Sequence, residues 1–214
     1  MISVRELSIP HKALHDFQKG VELLAKKDAA ASLPHFQRAV AEFGNFYEAY
    51  YKIGVADLKL WRLADAERAY RRSIELSRGL YAQPLLALGI LLEYEQKFAE
   101  AEEVTLKGLD VDPSSWPGRY SLACALFGLN QLKDAEENIR EVLRLEPDSA
   151  EARLLLADIL NRRKDYGALL EDLDEFLKLY PDHPSGVKVK ALRDRTVRAL
   201  IESQSSASIA AAQR

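Results

Sequence analysis

The 214 residues carry 30 Lys and Arg against 33 Asp and Glu, a net charge of −3 with the signs interleaved, so there is no basic footprint for nucleic acid and no polybasic membrane anchor. Hydrophobic residues make up 48% and are chiefly Ala and Leu, while alternating runs of Val, Ile and Thr are nearly absent, which argues against disorder and for an all-helical chain. One cysteine, Cys124, excludes an intrachain disulfide, and no apolar run reaches the ~18 residues of a membrane span.

Residues 1–12 form the first segment, in which Ile2, Val4, Leu7 and Ile9 are spaced like a short extended stretch with nothing in the chain to pair with. The segment lacks the apolar core of a signal peptide, so the chain reads as cytoplasmic as written. It reads as exported or periplasmic, or as following an upstream domain, if Met1 is not the natural start.

From residue 13 a register takes over. Pro113, Pro147 and Pro181 are 34 residues apart, and Gly20, Gly54, Gly89, Ala123 and Ala157 follow at 34, 35, 34 and 34. The extra residue falls near Gly79 in "SRGLY". Twelve residues after each of these small positions stand Ser32, Ala66, Ala101, Ala135 and Leu169, and seven further on Ala39, Ser73, Gly108, Val142 and Phe176. Small side chains at matched points let two helices approach closely, and the proline closes each unit because it cannot continue a helix. Short breaks such as "EQKF", "NQLK" and "RKDY" separate paired helices, each bringing in a large apolar residue: Phe98, Leu132 or Tyr166, with Leu63 in the corresponding place. One pair cannot bury its apolar face alone, so neighbours must stack on it.

The period, the Leu/Gly pair in the first helix, the Ala opening the second and the closing Pro resemble the tetratricopeptide repeat (TPR) family, as in "LADAERAYRRSIEL", "FAEAEEVTLKGLDVDP" and "LKDAEENIREVLRLEP". The resemblance implies a right-handed superhelical solenoid of antiparallel helix pairs. Five repeats are expected, at 13–46, 47–80, 82–115, 116–149 and 150–183, then a capping helix at 184–203 and a frayed tail at 204–214. The capping helix should turn Val187, Ala191, Leu192 and Val197 inward. Repeat one departs from the pattern: Pro34 falls within its second helix and should bend it or delay its start to near Ser32. Asp16, Arg119 and Arg153 also replace the large apolar residue usual at the fourth position.

Catalytic signals are weak. His11 and His15 are spaced i, i+4 but no third metal ligand accompanies them, Cys124 has no histidine near it, and the glutamates of "AEAEEV" lie on solvated helix faces. No catalytic residue, metal or cofactor is therefore assigned. The resemblance implies instead a concave wall built from the first helix of each pair. Its fifth positions are Phe17, Tyr51, Leu86, Tyr120 and Leu154, its ninth Val21, Val55, Ile90, Cys124 and Asp158, and its twelfth Leu24, Leu58, Glu93, Phe127 and Asn161. We take Phe17, Val21, Tyr51, Val55, Leu86, Ile90, Tyr120, Cys124 and Leu154 as the peptide-binding groove, because a contiguous apolar surface marks a binding site. The neighbouring Tyr50 is expected to be buried, and Tyr51 to be presented.

The competing reading packs several of these side chains between neighbouring helices, or folds the N-terminal segment over them. One TPR subgroup clamps a C-terminal carboxylate with Lys and Asn at the fifth and ninth positions, but Phe17/Val21, Tyr51/Val55 and Leu86/Ile90 do not match, which disfavours that mechanism. The expected function is a non-enzymatic scaffold, a monomer or weak homodimer, that binds an apolar peptide or helix of a protein partner and neither nucleic acid nor membrane. The alternative is a regulatory or assembly part of a larger enzyme system with no groove of its own.

Overall fold

A computed structural model describes residues 9–212, with side chains described for residues 9–202. Ile2, Val4 and Leu7 of the expected extended segment lie outside the described residues. The described residues form eleven α-helices and no strand. The helices are α1 (His11–Ala25), α2 (Ala29–Glu42), α3 (Tyr47–Lys59), α4 (Leu63–Leu76), α5 (Ala82–Tyr94), α6 (Phe98–Val111), α7 (Trp116–Gly128), α8 (Leu132–Leu145), α9 (Ala150–Arg163), α10 (Tyr166–Leu179) and α11 (Gly186–Ala212). The chain divides into two compact units, Met1–Ser121 and Leu122–Arg214, with the boundary inside α7.

In the first unit, α1 packs on α2, α3 on α4 and α5 on α6, while α2 joins α3 and α4 joins α5. In the second, α9 packs between α8 and α10, and α11 closes against α10. This is an all-α tandem array of helical hairpins. Glycine sets the closeness of the first two pairs. A Cβ on Gly20 would meet the Phe36 ring at 2.7 Å, and one on Gly54 would clash with the Tyr70 ring, so each aromatic of the second helix packs directly against the backbone of the first. Ala13, Ala39, Phe46 and Ala49 form one core cluster, with Ile9 and Phe17 packed against it.

Each hairpin turn is closed the same way. One residue takes the left-handed conformation: Lys27, Trp61, Gln96, Asn130 or Lys164, with φ between 60° and 64°. The next amide donates back to the carbonyl five residues earlier, as Asp28 does to Leu23 and Arg62 to Asp57, at 3.0 and 2.9 Å. That is the helix-ending bond pattern usually built on glycine.

The α2 start corrects one expectation. It is not delayed by Pro34: the helix begins at Ala29 because the Asp28 carboxylate accepts the Ala31 amide at 2.9 Å. Pro34 and Ala30 are both exposed, so the carbonyl that the proline leaves unbonded faces solvent. The polar fourth positions each find local partners. Asp16 pairs with His35 and Arg38, both at 3.0 Å, Arg119 donates to the Pro113 carbonyl at 3.2 Å, and Arg153 pairs with Glu175 at 3.0 Å.

The last helix differs in two respects. It runs to Ala212, past the expected end at residue 203, because "SQSSASIAAA" has no Gly or Pro to break it and Ala is the strongest helix former. Its inward stripe is Val189, Leu192 and Thr196, whose hydroxyl donates to the Leu192 carbonyl at 2.9 Å. Val187, expected inside, is 80% exposed, and Ala191 is exposed too.

Candidate functional site

The apolar surface of the first unit concentrates where α3 ends and α5 runs beside it. Leu58 and Lys59 close α3, Trp61 occupies the turn, Leu63 opens α4, and Ile90, Leu91 and Tyr94 come from α5; together they line a cavity of about 390 Å³. Trp61 is 71% exposed, Tyr94 63% and Ile90 48%, although the two rings stand 5.7 Å apart. Soluble surfaces rarely gather side chains of this size without a partner.

Trp61 holds the left-handed turn position that Lys27, Gln96, Asn130 and Lys164 hold in the other hairpins. A non-glycine residue there costs about 1–2 kcal/mol, and small polar residues are the commoner choice. The fold therefore gives no reason for an indole at this point. Nor does acid–base chemistry: no carboxylate or imidazole lines the cavity, whose polar groups are the Lys59 ammonium and the Tyr94 hydroxyl. The arrangement suits binding of apolar side chains.

The structure distributes the nine predicted groove residues unevenly. Ile90 lines this cavity, beside the twelfth-position Leu58. Phe17 is half-buried against Phe36 and Phe46, with ring centroids at 5.8 and 4.8 Å. Tyr51 is half-buried too, 6.0 Å from Tyr70 and 5.6 Å from Tyr81, and burial raises its pKa. Burial raises Tyr70 and Tyr81 as well, so this cluster stays neutral, with the Lys52 ammonium 5.1 Å from the Tyr51 ring centroid. Leu86 fills the space left by two glycines: Cβ atoms on Gly108 and Gly118 would come within 2.5 and 2.9 Å of its Cδ2. Val21, Val55, Tyr120 and Cys124 are half-buried, and Leu154 lines a separate cavity of about 370 Å³ in the second unit.

Tyr50 is not fully buried, contrary to expectation. Tyr50 lies at the edge of a cleft between α2 and α4 that Ala69 also lines, its ring 6.0 Å from the Arg72 guanidinium. Sequence reasoning passed over Trp61 and Tyr94 altogether. The signal was present: a tryptophan at a turn position that is Lys, Gln, Asn or Lys in the other four repeats.

Stacked helical hairpins with an exposed apolar surface are the architecture of a protein-interaction scaffold. The sequence matches the tetratricopeptide repeat family over residues 17–84 and 120–184, more than half its length, and the chain belongs to that family. Among solved structures it is similar to MamA from Desulfovibrio magneticus RS-1 (18% identity, TM-score 0.75, covering 83% of this chain and 100% of that one). It is also similar to PilF of Pseudomonas aeruginosa (17%, 0.75, covering 92% and 88%). A third is YrrB, described as a TPR protein with an unusual peptide-binding site (16%, 0.72, covering 84% and 92%). At these identities the likeness shows the fold. Human Protein O-mannosyl-transferase TMTC1 is 27% identical over 119 residues, 56% of this chain but only 13% of that protein. Among the described residues no helix is long and apolar enough to cross a membrane.

Proposed function

We propose that the protein is a non-enzymatic scaffold that captures an apolar segment of a protein partner, and that the cavity bounded by Leu58, Trp61, Ile90 and Tyr94 receives its anchoring side chain. The observation that carries this reading is Trp61, a large aromatic 71% exposed at a turn where the fold has no use for it. Aromatic side chains are the commonest anchors of protein interfaces. A cavity of about 390 Å³ has room for a Leu or Phe side chain with its neighbours. Of the nine residues taken as the groove, Ile90 belongs to this site, and Val21, Val55 and Tyr120 are half-buried. The ring contacts of Phe17 and Tyr51 and the seating of Leu86 support a packing role for those three.

The experiment is a selection of displayed peptides on the wild-type protein, followed by binding to a Trp61→Ala/Tyr94→Ala variant. Selected peptides should share a large apolar residue, and the variant should bind them more weakly by about 2 kcal/mol or more. Equal affinity for the variant would reject the site.

A further inference from the structure

The second unit holds a surface of different chemistry. Its cavity of about 370 Å³ lies between α9 and α11 and is lined by Leu154, Asp158 and Asn161 on one side and Lys188, Leu192 and Arg195 on the other. Leu154 and Leu192 give it an apolar floor. Asp158 lies near Arg162, whose charge opposes the upward push of burial on its carboxyl. Lys188 and Arg195 have no ion-pair partner among the described residues. They are part of a larger imbalance: residues 186–202 of α11 carry Lys188, Lys190, Arg193, Arg195 and Arg198 against Asp194 and Glu202, in a chain whose net charge is −3. Among the described residues Arg193 pairs with Asp174.

An unpaired cationic rim around an apolar floor selects for a ligand with the opposite rim. We infer that this cavity binds a protein segment in which a Leu- or Phe-sized side chain is flanked by Asp or Glu, the apolar group seated on Leu154 and Leu192 and the carboxylates facing Lys188 and Arg195. The Asn161 amide is placed to bond the segment's backbone, which an amide can meet as both donor and acceptor. The apolar floor is what favours a peptide over a nucleic acid, whose phosphates would meet the cations and leave that floor uncovered. The carboxylate-binding possibility that the first-helix register disfavours thus returns at the last helix, outside that register.

The test is fluorescence anisotropy on the full chain with three labelled twelve-residue peptides that share a Leu-Phe centre and are flanked by Asp/Glu, by Ser or by Lys. The acidic peptide should bind at least tenfold tighter than the Ser peptide, the Lys peptide weakest, with the preference falling as salt is raised. Lys188→Glu/Arg195→Glu, which alters only exposed side chains, should reverse the order with the circular dichroism spectrum unchanged. Trp61→Ala should leave the acidic preference in place, which separates this site from the one proposed in the first unit. Absent binding, equal affinities for the three peptides, or an acidic preference that survives charge reversal each overturns the inference. So does equal binding of a twelve-nucleotide RNA or of phosphatidylserine vesicles. A doubled mass by light scattering, abolished by the same reversal, would make the occupant a second copy of the chain and also overturn it.

Discussion

Two clefts occupy corresponding places in the two units and differ in what lies on their floors. In the first unit, α4 and α6 flank α5 over a cavity of about 300 Å³, whose floor includes Leu85, Leu88 and Val104. In the second, α8 and α10 flank α9 over a cavity of about 360 Å³, and Arg153, Leu156 and Asp172 stand at the same repeat positions. Leu85 has become Arg153 and Val104 has become Asp172. The Arg153 and Asp172 side chains are only 11% and 7% exposed and lie 3.6 Å apart, with Glu175 also on Arg153. Arg153 Nε and Asp172 Oδ2 are buried without a hydrogen-bond partner. Burial pushes the Asp172 carboxyl up to about 6, against the pull of Arg153 and with Glu175 adding to the rise. The same helical frame thus accepts either an apolar floor or a buried ion pair, and the ion pair is the less satisfied solution.

The largest effect should come from breaking that pair on one side. Arg153→Leu leaves Asp172 buried without its cation, and the second unit should lose about 3–5 kcal/mol, read from hydrogen exchange of α9 and α10 amides. A loss well under 1 kcal/mol would mean that the pair is already hydrated and that the two clefts do not differ in the way described.

Acidity gives the next largest effect, and its sign is fixed by the raised pKa. Because the folded carboxyl titrates at about 6 and the free one near 3.8, protonated Asp172 favours the folded state. That contribution is complete below the lower value and is lost as pH rises through the higher one. Relative to Asp172→Asn, the wild-type second unit should therefore lose roughly 3 kcal/mol between about pH 4 and pH 7. A difference that is flat across this range would contradict the burial of that carboxylate.

Restoring the other cleft's floor is the third test. Arg153→Leu/Asp172→Val should recover the loss of the single variant and end between neutral and about 4 kcal/mol more stable than wild type. If the double variant remains as unstable as the single, the apolar and charged floors are not interchangeable. The smallest effect belongs to the exposed site of the first unit. Trp61→Ala should change thermal stability by less than about 0.5 kcal/mol, since the indole is mostly exposed. A larger loss would make Trp61 part of the packing.

Much of the architecture was legible because small residues and prolines repeat with the turn geometry. Gly20 and Gly54 recur where an aromatic ring lies across them, and one register predicts both helices of each hairpin. The wall was less legible. A fifth-position side chain points to the same side of its helix whether or not the next hairpin covers it, so Phe17 and Tyr51 read as presented while Phe46 and Tyr81 sit against them. Arg153 and Asp172 lie on different helices, and only the fold brings the two irregular residues together. The rotation of α11 was hidden for a related reason. Its apolar residues are spread around the helix, and nothing local decides that Val189 and not Val187 turns inward where α11 packs on α10.

The central claim concerns Trp61, and its own fluorescence tests it most directly. With Trp116 replaced by Phe, Trp61 is the sole tryptophan, since the chain has two. Titration with a peptide selected on the wild-type protein should shift its emission to the blue and saturate as the indole leaves water, and Tyr94→Ala should weaken the binding. An emission that stays that of a solvated indole while the peptide demonstrably binds would place the partner elsewhere and contradict the account.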